Sequence, residues 1–132
     1  MSEIQRFALV SDKIIGEIFA ENKKQLTVYS LEKDVLIESL FNNNSTGEVI
    51  LDKSLKAGET ATVATIECIN IVVTLFHLYT HFRNQKKQTN KDRNITETLK
   101  DITPILDQNG LDIKTAEKII TDYEVDILNA IE

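Results

Sequence analysis

Hydrophobic residues recur at intervals of three and four along most of the chain, which is the period of an amphipathic helix. The first such segment covers residues 2–21, and its charged residues fall largely on the opposite side. The same spacing returns after Asp112 and continues to Ile131. The pattern therefore predicts a helix at each end of the chain.

Residues 25–55 carry a mixed pattern that leaves two alternatives open. The stretch QLTVYS at 25–30 has the β-branched and aromatic character of a strand, while the apolar spacing over 31–41 favours a helix. A loop-forming sequence, NNNSTG, occupies 42–47, and EVILDKSL at 48–55 is typical of a short strand. The alternatives are a helix followed by an extended arm, or a small β-hairpin. We favour the helix.

The most apolar stretch of the chain predicts a long central helix from about Thr60 to Lys87. One narrow polar stripe interrupts its hydrophobic surface. Because the stripe residues are spaced three and four apart, they fall within a sector of about 100° on a helix. The stripe residues are Glu67, Asn70, Thr74, His77, His81 and Asn84. The segment is thus predicted to be a helix with a wide apolar face and one polar edge.

Capping residues divide the C-terminal part into two further helices. Asn94, with a glutamate three residues later, completes a capping box. Proline is unfavourable inside a helix and favourable at the first helical position. We therefore expect a kink or a restart of the helix at Pro104, with Thr103 as the new cap. Gly110 ends this segment, and Asp112 caps the last helix.

Four or five helices within 132 residues favour a small helical bundle. Only one proline and four glycines interrupt the chain. We therefore predict a mainly α fold in a single domain, residues 1–132, built around the central helix at about 60–87. If the fold contains a short β element, we expect it within residues 25–55.

The charge of the chain argues against nucleic-acid binding. The net charge is −6, whereas a general nucleic-acid binder needs an accumulated positive field. The charge is also uneven, because the acids concentrate after Asn94 and a basic run precedes them. That run contains Arg83, Lys86, Lys87, Lys91 and Arg93. A solvated linker is its simplest interpretation, and contact with an anionic partner is the alternative.

A membrane span is one alternative for the apolar stretch, because residues 60–82 have the right length and basic residues follow them. Ten Leu, Ile, Val and Phe residues would contribute about 3 to 6 kcal/mol to insertion, while Glu67 alone costs about 2.5 to 3.5 kcal/mol. A lone span is therefore disfavoured. Insertion on assembly, with the polar stripe in a shared lumen, remains the alternative to a soluble protein.

His77 and His81 are four residues apart and leave one helical face, as a pair of zinc ligands does. Leu78 stands where the zinc-protease motif has its glutamate, and a third ligand would have to come from another helix. A solvent-facing histidine pair is the simpler interpretation. No metal, cofactor or small-molecule substrate is predicted, and the absence of nucleophile and phosphate-loop motifs argues against an enzyme.

Cys68 is the single cysteine, so no internal disulfide can form, and its apolar surroundings predict a small buried hydrophobe. The N-terminal sequence MSEIQRFALV lacks the features of a signal peptide. These two observations predict a cytoplasmic protein, with membrane association as the alternative.

The function that these patterns favour is a non-catalytic protein–protein interaction module, either an adaptor or a small subunit of an assembly that can be homo-oligomeric. Two features motivate this hypothesis. The central helix is apolar over more of its circumference than a small bundle easily covers. The acidic C-terminal surface could also pair with a basic partner, or with the 83–93 run of a second copy.

Overall fold

The computed structural model describes residues 1–43, 63–88, 95–108 and 110–131. Within these residues the chain forms five helices and no strand, which confirms the predicted all-α bundle. The helices are α1 (Glu3–Ile18), α2 (Lys23–Asn43), α3 (Val63–Gln88), α4 (Ile95–Gln108) and α5 (Ile113–Ile131).

Helix α2 resolves most of the ambiguity at 25–55. It includes both QLTVYS and the predicted helix at 31–41, so the strand alternative for 25–30 is wrong. Val28, Tyr29 and Leu36 share one face of the helix and are buried, and this packing outweighs their strand propensity. The strand predicted at 48–55 lies outside the described residues.

Helix α4 continues through Pro104, so the predicted restart is wrong. Thr103 is not a cap, because its hydroxyl donates to the Leu99 carbonyl at 2.5 Å within the same helix. Ile102 and Leu106 are fully buried on either side of the proline. Their packing holds together a helix that would otherwise lose stability from the missing amide proton. The predicted cap at position 94 lies outside the described residues.

The turn between α4 and α5 follows the sequence prediction. Gly110 has φ 67°, a left-handed conformation that glycine adopts without steric cost. Its N–H donates to the Asp107 carbonyl at 3.2 Å, and the Leu111 N–H donates to the Leu106 carbonyl at 2.8 Å. These two bonds form a Schellman motif that closes α4. The Asp112 carboxylate then accepts the N–H two residues later at 3.0 Å and caps α5.

Contacts between side chains fix the direction of α1 relative to α3 and α5. The first turn of α1 meets the last turns of both other helices. Glu3 forms an ion pair with Arg83 of α3, and Arg6 donates to the Ala130 carbonyl of α5 at 3.0 Å. Helix α1 therefore runs antiparallel to both.

Helices α1 and α2 form an antiparallel hairpin, in which Tyr29 contacts Ser11 at 2.8 Å. Helix α2 and helix α3 run parallel, because Gln25 contacts the start of α3 at Cys68 and Phe41 contacts Tyr79 further along it. The end of α2 and the start of α3 consequently lie at opposite ends of the bundle.

Helix α3 is the centre of the core and packs against all four other helices. Each apolar residue from Cys68 to Phe82 is buried: Cys68, Ile69, Ile71, Val72, Val73, Leu75, Phe76, Leu78, Tyr79 and Phe82. Burial of each large apolar side chain contributes roughly 1.5 to 3 kcal/mol. No helix among the described residues combines the length and the hydrophobicity that a bilayer crossing requires.

An aromatic cluster joins α1, α2 and α3. The Phe7 ring centroid lies 5.4 Å from that of Phe41, 5.9 Å from that of Phe76 and 5.4 Å from that of Tyr79, each in an edge-to-face arrangement. Such pairs contribute about 0.5 to 1.5 kcal/mol beyond the burial of their area. This cluster fixes the crossing of α1 over the C-terminal half of α3.

Candidate functional site

The polar stripe predicted on α3 contains its less buried residues. Glu67 and Asn84 are exposed, and Asn70 is partly buried. Thr74 is the exception, because it is fully buried and its hydroxyl donates to the Asn70 carbonyl at 2.8 Å. This bond satisfies the Thr74 hydroxyl within the helix, so Thr74 is a packing residue.

One turn of α3, in this stripe and directly beside it, buries three polar atoms that have no hydrogen-bond partner among the described residues. They are Nε2 of His77, Oγ1 of Thr80 and Nε2 of His81, which we call the α3 polar cluster. Residues 77, 80 and 81 leave the helix within about 100° of one another. Buried polar atoms in native proteins almost always have a partner, so three on one turn require an explanation.

The electrostatic surroundings of the two histidines favour the neutral form. Burial lowers the pKa of His77 below its ordinary value. Burial also lowers the pKa of His81, and the nearby Asp101 carboxylate of α4 only partly opposes this. Both imidazoles are therefore neutral at pH 7, the form that can ligate a metal.

His77 and His81 are partly exposed, although their Nε2 atoms are buried. The sequence spacing placed them on one face correctly, but it could not show what covers that face. In the part of the chain that the structure describes, no three His, Cys, Asp or Glu side chains are grouped as metal ligands.

A second polar region lies near the start of α3, and the sequence analysis missed it. Gln25 and Glu32 of α2 are 1% and 0% exposed, and the Gln25 side-chain oxygen accepts the Cys68 N–H at 3.2 Å. Placing residues 25, 28, 32 and 36 on one helical face would have predicted both burials.

Cys68 is fully buried beside this region. Burial raises the pKa of its thiol to about 11. The thiol is therefore protonated at neutral pH, whereas a nucleophilic cysteine needs its thiolate. The sequence prediction that Cys68 behaves as a small hydrophobe agrees with this placement.

The first residue of the basic run belongs to a three-residue cluster that holds α1 against α3. Arg83 donates to the Glu3 carboxylate, which also accepts the Tyr79 hydroxyl at 2.9 Å. Burial alone would raise the pKa of Glu3. The hydrogen bonds from Arg83 and Tyr79 and the positive charge of Arg83 together lower it by more, so the net shift of the pKa is downward. The side chains of Lys86, Lys87, Lys91 and Arg93 lie outside the described residues.

A third cluster joins α1 and α2 at their seam. The Tyr29 hydroxyl donates to Asp12 at 2.5 Å, and Asp12 also forms an ion pair with Lys33 at 3.3 Å. Burial, and next the hydrogen bond to Asp12, raise the pKa of Tyr29 well above its usual range. The phenol therefore keeps its proton, and the cluster serves to connect the two helices.

A shallow groove runs between α1 and α2. Half of its lining residues are apolar, and it carries two exposed carboxylates, those of Asp34 and Glu38. Ile4 on its α1 side is 37% exposed. We call it the α1–α2 groove, and it is lined by Ile4, Ala8, Asp34, Ile37, Glu38 and Asn42.

No protein-family model, curated protein or solved structure shows a significant match to this chain. Function is therefore inferred from the placement of these residues and from their chemistry.

Proposed function

We propose that the protein is a non-catalytic protein–protein interaction module that acts as a subunit of a homo-oligomer. The observation that carries this proposal is the α1–α2 groove, in which two carboxylates lie beside apolar side chains. Ile4 and Ala8 offer apolar contact, while Asp34 and Glu38 place two negative charges one helical turn apart. A segment that carries several basic residues complements these two carboxylates.

The occupant that we propose is the basic segment 86–93 of a second copy. This segment carries Lys86, Lys87, Lys91 and Arg93, with Asp92 as its one acid. Its charge is complementary to the two carboxylates on the groove rim, and complementary charges steer association and select partners. Because each copy carries both a groove and a basic segment, the contact can be made twice, as in a two-fold symmetric dimer.

Two properties of the core support a non-catalytic role. The Cys68 thiol is buried and protonated, and the Tyr29 phenol is held by Asp12 with a strongly raised pKa. The polar groups at the α1–α2 and α1–α3 contacts hold helices together. A reduced, buried cysteine also fits the cytoplasm, where we propose that the protein acts.

The structure changes the reason for proposing an interaction module. The sequence suggested that α3 is too apolar for a small bundle to cover, but its apolar residues from Cys68 to Phe82 are all buried by neighbouring helices. Membrane insertion would have to remove these residues from the core. The proposed interaction surface therefore lies on the α1–α2 groove and not on α3.

Size-exclusion chromatography with light scattering, over a range of protein concentrations, tests the proposal. We expect a dimer at low ionic strength that dissociates towards 1 M salt, where the screening length is about 3 Å. A protein that is monomeric at every concentration, in low salt as well, would overturn it.

Charge reversal locates the contact. Asp34→Lys with Glu38→Lys should abolish the dimer, while the matched control Glu117→Lys with Asp122→Lys changes the same charge on exposed positions of α5 and should not. Lys86→Glu with Lys87→Glu should also abolish it. A mixture of the groove variant and the basic-segment variant should dimerise again, because every groove then meets a segment of opposite charge. Equal behaviour of the groove variant and its control would reject the groove.

A further inference from the structure

The chain path between α2 and α3 brings a further segment alongside the central helix. Because the two helices run parallel, residues 44–62, which we call the α2–α3 connection, must return from the end of α2 to the start of α3. Phe41, near the end of α2, contacts the rings of Phe76 and Tyr79, so the chain leaves α2 at the level of the α3 polar cluster. The return from there to Val63 covers about 25 Å, and a connection of this length spans up to about 60 Å.

The described helices leave one side of the α2–α3 pair open. Among them, helix α2 contacts only α1 and α3. Lys33 of α2 forms an ion pair with α1, and Leu31 lies about 160° away from it around the helix. Arg83 of α3 also forms an ion pair with α1, and His81 lies about 160° away from it. Leu31 and His81 therefore both face away from α1, on the side where the connection can return.

We propose that the α2–α3 connection docks on this side of α2 and α3 of its own chain, and that the side chains of residues 44–46 hydrogen-bond the Nε2 atoms of His77 and His81. Both Nε2 atoms are buried without a partner among the described residues, whereas buried polar groups in native proteins almost always have one. Residues 44–46 are Asn, Ser and Thr, and they follow α2 directly. Their amide and hydroxyl groups donate and accept, so they suit either tautomer of an imidazole.

The next residues of the connection suit the apolar part of the same side. Leu31 is 59% exposed and lies in a shallow groove that also contains Leu26. Residues 49–51 are Val, Ile and Leu, and they reach the level of Leu31 about midway through the return. Burying these side chains against one another is favourable. The order of polar and apolar residues in the connection thus matches the order in which α2 and α3 present the histidines and Leu31.

Nuclear Overhauser contacts in the unaltered protein test the proposal. We expect contacts from the imidazole Hε1 protons of His77 and His81 to residues 44–46, and from the Leu31 methyl groups to residues 49–51. A mixture of ¹³C-labelled and unlabelled protein identifies the chain that makes them, and the contacts should lie within one chain. Their absence would overturn the proposal and leave ordered water as the partner of the two nitrogens. Contacts found only between chains would also overturn it, in favour of a second copy.

A set of variants tests the hydrogen bonds themselves. Asn44→Ala combined with Ser45→Ala and Thr46→Ala should shift the ¹⁵N signals of Nε2 in both histidines, because their partners are removed. The matched control, Thr60→Ala with Thr62→Ala, removes polar groups from the other end of the same connection and should leave these signals in place. Unshifted signals in the triple variant, or equal shifts in the triple variant and the control, would contradict the assignment of these residues as partners.

Discussion

Helix α3 has two sides that differ in how their buried polar atoms are satisfied. On one side Phe76 and Tyr79 pack edge-to-face with Phe7, and the Tyr79 hydroxyl donates to Glu3. On the other side His77 and His81 bury Nε2 atoms that have no partner in the described part of the chain. The two sides alternate along the same helical turns, and the histidine side is only partly buried.

The comparison separates a packing surface from a candidate binding site. Where a buried hydroxyl has a charged acceptor, as Tyr79 has in Glu3, the polar atom strengthens the fold. Where buried nitrogens have no acceptor or donor, the fold is weakened unless something else binds them. We therefore expect the aromatic side to stabilise the fold more than the histidine side does.

The largest effect is expected on the aromatic side. Phe7→Ala removes a side chain that is 0% exposed and contacts three other rings, and it should lower the free energy of unfolding by about 3 to 5 kcal/mol. Urea denaturation measures this. The control Leu9→Ala changes a residue of the same helix that is 56% exposed and should cost no more than about 0.5 kcal/mol. Similar losses in the two variants would contradict the core assignment of Phe7.

A smaller loss is expected for Tyr79→Phe, which keeps the ring and removes the hydroxyl. The hydrogen bond to the Glu3 carboxylate is lost, so the free energy of unfolding should fall by about 1.5 to 3 kcal/mol at most, because the acceptor is charged. Glu3 keeps its ion pair with Arg83, which limits the loss. An unchanged denaturation midpoint would show that the bond contributes nothing in solution.

The matching change on the histidine side should have the opposite sign. Thr80→Val replaces a buried hydroxyl, which has no partner among the described residues, by a methyl group of similar shape, so it should raise the free energy of unfolding by about 1 kcal/mol. Denaturation of the two variants side by side compares the two sides of α3 directly. A loss of stability in Thr80→Val would mean that this hydroxyl has a partner after all.

The smallest effect concerns pH. Because the pKa of Glu3 in the folded protein is below its ordinary value of 4.5, the unfolded chain binds the proton more tightly. The stability that Glu3 contributes is therefore fully present above pH 4.5 and is lost as the pH falls through the lower pKa of the folded state. Glu3→Gln should flatten this part of the profile of thermal midpoint against pH. An unaltered profile would show that Glu3 does not contribute to the pH dependence of stability.

The helices that the sequence predicted best were those with a clear period and explicit caps. The apolar period predicted α1, and Gly110 and Asp112 divide α4 from α5 as expected. Predictions from residue propensity were wrong at Tyr29 and Pro104, because tertiary packing determines the helical conformation at both positions. Local sequence cannot show that the strand-like QLTVYS will bury a helical face, or that Ile102 and Leu106 will hold a helix across a proline.

The candidate site was predictable only in part, for a similar reason. The spacing of His77 and His81 was sufficient to place them on one face of a helix. Whether their Nε2 atoms meet water, a partner or neither depends on the other elements that pack beside α3, and no local pattern encodes this. Thr80 was missed because it lies just outside the stripe, and Gln25 and Glu32 were missed because the helix that carries them was ambiguous.

The central claim is that α3 is the covered core of a helical bundle. Native-state hydrogen exchange of the protein in aqueous buffer, without lipid or detergent, tests it most directly. We expect the amides from Ile69 to Phe82 to be the most protected of the chain and to exchange only through global unfolding, with a free energy equal to that from denaturation. Exchange of these amides at a lower free energy than those of α1, through local opening, would contradict the claim.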